Sequence, residues 1–247
     1  MNPYLKNLKK IEFVITYACT GKCKHCSEGD HSACGIAIHP ETAANAVRKI
    51  AAEYPIQTVM TFGGEPLLFP NTVYQIHSAA KEMGIPKRQV ITNGYFSKTP
   101  ERIAEVAEGL SQCGVNDVLL SVDAFHQETI PLEPVILFAK ELQKRNVPLR
   151  IQPAWLVSPE DKNPYNLKTR MLLDQFLALG MEENEGNVIF PEGNAKKYLA
   201  EYFLEETIPN PYWEDPYDVK CVSFDPDGSV LNQNCYQKDI MDILREY

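Results

Sequence analysis

The sequence contains no apolar run approaching the roughly 20 residues that a membrane helix needs. Its N-terminal segment has neither the apolar stretch nor the small-residue cleavage site of a secretory signal. These two absences set the expectation of a cytoplasmic protein with no membrane role. A basic surplus is missing as well: the formal charge is -9, and ten acidic residues within 181–218 face only Lys196 and Lys197. An acidic flank repels phosphates, so no nucleic-acid partner is expected. Cysteine is scarce and odd in number, seven in 247 residues with three crowded into eight positions. That is a poor disulfide framework and a better metal or redox site. Internal repeats and low-complexity linkers are also lacking. What is present, 44% hydrophobic and 23% charged residues, is ordinary for a globular chain with a substantial core.

Six short apolar or β-branched runs, at residues 11–16, 58–62, 89–92, 117–122, 149–154 and 187–190, alternate with helical patterns. The helices show a 3.6 period, as in Val73, Ile76, Ala80 and Met83, or Ile103, Val106, Ala107 and Leu110. Thr99-Pro100 reads as a helix start, and Gly84, Gly114 and Gly180 sit where helix C-caps are expected. The order predicts an α/β fold with a parallel sheet, a partial (β/α)6 TIM-type barrel over residues 1–192. Six units are two short of closure, so one side should stay open to substrate. Residues 193–247 break the alternation and read as a small C-terminal extension. It holds an aromatic helix (Tyr198, Leu199, Tyr202, Phe203), a hairpin around Asp227-Gly228, and a last helix with Ile240, Ile243 and Leu244.

In parallel α/β sheets ligands sit at the carboxyl ends of the strands. The first strand runs into Cys19-Thr20-Gly21-Lys22-Cys23-Lys24-His25-Cys26, a C-x-x-x-C-x-x-C spacing on a glycine-containing loop. Three thiolates hold an iron-sulfur cube with one iron left open to an outside chelator. A zinc site completed by His31 or Cys34 is the other reading, as are three unrelated buried cysteines. Immediately after the second strand comes Gly63-Gly64-Glu65-Pro66. Two glycines let backbone approach a ligand, and the carboxylate can accept hydrogen bonds from an ammonium group. Alone, the same four residues also read as a plain turn.

With both motifs in this order, the chain resembles the radical S-adenosylmethionine superfamily over residues 10–190. The resemblance implies that Cys19, Cys23 and Cys26 ligate a 4Fe-4S cluster beside S-adenosylmethionine. It puts His25 near the adenine and gives Gly63, Gly64 and Glu65 the methionine amino group. Thr92, Asn93, Ser121, Asp123 and Gln152 occupy strand ends similar to further cofactor contacts; strand-end polar residues satisfying their own loops are the alternative for Ser121 and Asp123. The implied reaction is one-electron cleavage of the sulfonium to a 5′-deoxyadenosyl radical that abstracts a substrate hydrogen, with flavodoxin or ferredoxin as electron donor. His126, past the fourth strand, is the candidate for catalytic contact with substrate, against a plain surface-loop histidine. Tyr17 and Tyr95 are candidates for the same mouth.

Cys221 through Cys235 and the helix after them look like a shortened SPASM or twitch domain, with too few cysteines for an auxiliary cluster. Cys113 reads as a small core residue, and Cys34 as solvent-facing or a hydrogen donor. That tail and the open sheet favour modification of a peptide or protein. Dehydrogenation or rearrangement of a sugar or amino-acid-derived small molecule is the alternative, followed by activation of a glycyl-radical partner.

Overall fold

A computed structural model describes residues 2–29, 35–203 and 210–247. The strands are β1 (Lys10–Val14), β2 (Thr58–Phe62), β3 (Lys87–Thr92), β4 (Asp117–Ser121), β5 (Leu149–Gln152), β6 (Ala154–Trp155), β7 (Glu182–Glu183), β8 (Asn187–Val188), β9 (Cys221–Phe224), β10 (Ser229–Val230) and β11 (Gln233–Asn234). The helices are α1 (Pro40–Glu53), α2 (Pro70–Glu82), α3 (Pro100–Gln112), α4 (Leu132–Lys144), α5 (Pro164–Leu177), α6 (Gly193–Tyr198) and α7 (Ile240–Glu246). Four of them begin with proline, whose missing N–H costs nothing in the first turn and whose fixed φ starts the helix sharply. Thr99 precedes α3 but makes no side-chain cap bond.

Among the described residues, seven strands form one parallel sheet in the order β7-β5-β4-β3-β2-β1-β9. The two edge strands do not pair, so the sheet is an open, partial barrel. Central strands buried on both faces read as continuous apolar runs, and all five residues of β4 are buried. Helix residues such as Val47, Ile50, Val73, Ile76, Val106 and Phe138 pack with Ile11, Phe13, Val59, Val90 and Val118 into one core.

Two elements depart from the sequence reading. The strand expected at 187–190 is not the sixth strand of the sheet; Glu182–Glu183 holds that position beside β5. An exposed edge tolerates charge, so its sequence carries no apolar signal. Asn187–Val188 instead pairs with β6, and Ile189 joins a second small core with Phe125, Ala154, Leu156, Ala195 and Leu199. The second departure is β9, which joins the sheet in parallel beside β1, Lys10 opposite Cys221. The hairpin forms one step later than expected, β10 against β11, turning at Leu231 and Asn232, both at positive φ. Ile240, Ile243 and Leu244 of α7 are buried, and so is Cys113, whose Sγ donates to the Leu110 carbonyl at 3.3 Å. No helix of the described residues is long and apolar enough to cross a membrane.

Inside this core, His77 on α2 is fully buried, with Nε2 3.0 Å from Thr61 Oγ1 and Nδ1 without a partner. Burial pushes its pKa down to about 3. The unfolded chain takes up that proton near pH 6.5 and the folded chain does not. Stability contributed by the neutral ring is therefore whole above pH 6.5 and is lost as pH falls from there toward 3. Wild-type stability should drop from pH 7 to pH 5 by about 2 kcal/mol more than that of His77→Gln. Urea midpoints at the two pH values check this; equal drops would remove His77 from the account.

Candidate active site

The loop after β1 that carries the cysteines is held by three neighbouring segments. From below, the end of β2 grips its root: Gly64 N–H donates to the Thr16 carbonyl and Glu65 N–H to the Ala18 carbonyl, each at 2.8 Å. Here the glycine pair lies against the chain's own backbone. A Cβ on Gly63 would lie 2.6 Å from Thr16 O, and one on Gly64 would lie 2.1 Å from Ala18 O. Gly63 also sits at φ +132, where other residues are strained. What the glycines approach is the chain's own segment leading to Cys19.

From the side, the loop after β4 binds the middle of the cysteine loop. Lys22 N–H donates to Thr129 Oγ1 at 3.0 Å, Lys24 pairs with Glu128 at 3.2 Å, and the His25 ring lies 5.0 Å from that of Phe125. From the far end of the chain, Asn194 at the start of α6 donates through Nδ2 to the Cys23 carbonyl at 3.2 Å and through its backbone N–H to the Cys26 carbonyl at 2.8 Å. Sequence reasoning missed Asn194. Its only local signal is a Gly-Asn pair at a helix start, and its partners are about 170 positions away. The tail reaches the same region through Asp225, which accepts a hydrogen bond from the Tyr17 hydroxyl at 2.7 Å.

The three thiols sit close together: Cys26 raises the pKa of Cys19, and both raise that of Cys23. Burial is the larger cause, pushing Cys19 up to about 11, and Cys23 and Cys26 upward too. Asn93 Nδ2 lies 3.5 Å from Cys19 Sγ. Buried, mutually repelling thiolates are unfavourable alone, and coordination by a metal removes their protons and that repulsion together. The donor set therefore fits a cluster held by three cysteines. Cys34 and His31 lie outside the described residues. Cys235 packs against the core and Cys221 lies on β9 beside β1.

The remaining expected contacts divide into two groups. Ser121 and Gln152 are register partners at the ends of β4 and β5, both mostly buried, and Asn184 Nδ2 donates to Gln152 Oε1. Thr92 and Asn93 at the end of β3 bind Glu65: Thr92 Oγ1 donates to Oε1 at 2.7 Å and Asn93 N–H to Oε2 at 2.9 Å, while Leu67 N–H donates to Oε1 at 2.9 Å. Glu65 is completely buried; burial pushes its carboxyl up to about 7 against the pull of these donors. Asp123 is likewise spent on its own loop. Its Oδ1 accepts from the Phe125 and His126 N–H groups at 2.9 Å, and its Oδ2 lies 2.7 Å from His126 Nδ1 and 3.2 Å from the Ala154 N–H. Burial works against the anion, but the bonds from His126 hold the carboxyl down to about 2. The structure thus brings His25 and His126 together, rings 4.8 Å apart, beside Cys23.

The profile described as the Radical SAM superfamily matches residues 13–148, from β1 to the end of the fourth βα unit and more than half of the chain. The chain belongs to the radical SAM superfamily. Radical SAM enzymes use S-adenosylmethionine with a 4Fe-4S cluster. Solved radical SAM structures share its fold. SuiB of Streptococcus suis bound to S-adenosylmethionine aligns with a TM-score of 0.62 at 15% identity, over 96% of this chain and 66% of that one. Native anSMEcpe with bound AdoMet gives 0.60 at 14% identity, over 96% and 80%. BtrN in complex with AdoMet and 2-DOIA gives 0.50 at 16% identity, over 96% and 81%. The chain spans just under two thirds of SuiB's length. No curated protein matches it by sequence.

In this member of the radical SAM superfamily Glu65→Ala should act first on stability. Removing the carboxylate strands the Leu67, Thr92 and Asn93 donors in a buried place, for a loss of about 3 kcal/mol. Anoxic denaturant unfolding of the apoprotein measures it. Unchanged stability with weakened S-adenosylmethionine binding would instead make Glu65 a direct ligand.

Proposed function

We propose that Cys19, Cys23 and Cys26 hold the 4Fe-4S cluster and that the enzyme removes a hydrogen atom from a peptide or protein substrate. When bound, the cluster and S-adenosylmethionine supply the one-electron reductive cleavage that makes such a step possible, with a flavodoxin- or ferredoxin-class protein as reductant. The chain's own residues do the rest. Three thiolates would leave one iron of the cluster without a protein ligand, open to chelation by the amino and carboxylate groups of the methionine moiety. Gly63, Gly64 and Glu65 fix the loop that presents it, and Thr92, Asn93, Ser121 and Gln152 line the strand ends where the nucleoside would lie. His25 would contact the adenine, and His126, held by Asp123 through Nδ1, would contact the substrate.

The observation that carries this reading is a three-thiol loop, clamped from three sides, at the carboxyl ends of an open sheet. An open edge admits an extended chain. The likeness in fold to SuiB bound to precursor peptide SuiA supports a peptide in that place. BtrN, of which this chain covers a larger share, supports a small-molecule substrate as the second reading. The test is anoxic turnover with dithionite and S-adenosylmethionine, following 5′-deoxyadenosine. A short peptide encoded beside the gene should raise its formation above the substrate-free rate and, when deuterated, pass deuterium into it. Stimulation by aminocyclitol or sugar substrates and by no peptide would replace the first reading with the second.

A further inference from the structure

Beside the three-cysteine set lies a second donor set that shares one member with it. Among the described residues, Cys23, His25 and His126 offer ligand atoms that all lie within 4.8 Å of one another. His25 comes from the cysteine loop and His126 from the loop after β4, their rings edge to face at 4.8 Å. Two further observations point to an ion. Nδ1 of His25 is buried and has no hydrogen-bond partner, an unfavourable state that a cation relieves. Nδ1 of His126 lies 2.7 Å from Asp123 Oδ2, so the carboxylate keeps the proton on that nitrogen and leaves Nε2 as a lone-pair donor. That is the carboxylate–histidine–metal arrangement by which a metal-binding imidazole is oriented. One thiolate and two imidazoles, with water in the fourth position, suit a tetrahedral borderline-soft ion. Phenylalanine or tyrosine at position 25 would complete the aromatic contact with Phe125 but not this set.

We propose that the polypeptide without its iron-sulfur cluster binds one divalent ion of the zinc class at Cys23, His25 and His126, with Asp123 positioning His126. Binding replaces the Cys23 thiol proton, which leaves to solvent; nothing is oxidised or reduced. Cluster and ion exclude each other, because each requires Cys23 Sγ. The ion ties the cysteine loop to the loop after β4 in the chain that awaits its cluster, while Cys19 and Cys26 stay outside it.

The experiment uses the full chain, cleared of iron anoxically with dithionite and EDTA, titrated with Co²⁺ as the spectroscopic probe and Zn²⁺ as competitor. One ion per chain is expected, with tetrahedral d–d bands and charge-transfer intensity of a single thiolate. The double variant Cys19→Ser, Cys26→Ser should retain zinc affinity within about threefold although it cannot hold the cluster. His25→Phe and His126→Gln should weaken it at least about a hundredfold, and Asp123→Asn by about 10- to 100-fold. His25→Phe keeps an aromatic ring against Phe125, so it remains informative if a variant at Asp123 unfolds. Protein carrying its reconstituted cluster should take up no Co²⁺. Loss of zinc in the double cysteine variant with retention in His25→Phe, or three-thiolate intensity, would assign the ion to the cysteines alone and overturn the proposal. So would the absence of stoichiometric binding by the wild type.

Discussion

Cys23→Ala should leave anoxically reconstituted protein without its iron-sulfur absorption and reduce 5′-deoxyadenosine to the level of a protein-free control. Three ligands are the minimum that holds a cube with one open iron, and this substitution leaves two. Cys23 is also the most deeply buried of the three, so solvent is not placed to substitute for it. Its backbone carbonyl still accepts from Asn194 in the variant, so the loop keeps one anchor and the loss reads as loss of a ligand. Cys113→Ala is the control. That thiol is buried at the end of α3, away from the cysteine loop, and donates to the Leu110 carbonyl; its removal should cost stability of about 1 kcal/mol while cluster and product survive. Product at wild-type rate in Cys23→Ala would refute the ligand assignment.

How much of this was legible in the sequence depends on how local each signal is. Strand and helix order could be read because apolar period and proline starts are properties of adjacent residues: β2 and α3 lie where the pattern put them. Positions of the chemistry followed from the rule that strand carboxyl ends carry the site, and the cysteine loop, Gly63 to Glu65, Thr92 and Asn93 do converge there. Orientation was not legible. Nothing in the order of letters says that Glu65 turns its carboxylate toward the end of β3, because that depends on which donors a neighbouring strand places within 3 Å. Asp123 binds the Phe125 and His126 N–H groups of its own loop, a local outcome that the sequence offered as one of two readings without deciding between them. Contacts across long sequence separation were equally hidden. β9 beside β1, Asp225 on Tyr17 and Asn194 on Cys23 each join residues more than 160 positions apart. All three tie the extension to the barrel at or near the cysteine loop, and a sequence pattern marks an extension without saying where it docks.

The glycine pair gives the other large effect, because it separates a ligand-approach role from a clamping one. A Cβ on Gly64 would fall 2.1 Å from Ala18 O, 2.6 Å from Ala18 C and 2.9 Å from Tyr17 C. These are backbone atoms, and no rotamer change relieves them. The variant must part β2's end from the segment before Cys19, breaking the 2.8 Å bonds from Gly64 to Thr16 and from Glu65 to Ala18. Overpacking against a movable side chain costs about 1 to 3 kcal/mol; here the cost should reach the top of that range or pass it. Cys19 follows Ala18 directly, so it moves with the segment, and a displacement near 1 Å is enough to lower turnover about a hundredfold. Gly64→Ala should therefore lose stability, cluster occupancy and 5′-deoxyadenosine formation together. Gly84→Ala is the matched comparison. That glycine has φ +69 with nothing within 4 Å of its added Cβ, so the substitution carries only the left-handed strain of about 1 to 2 kcal/mol and leaves the site alone. If Gly64→Ala binds its cluster fully and fails only in S-adenosylmethionine affinity, the glycines face the cofactor and not the chain, and the clamp is not what holds the cysteine loop.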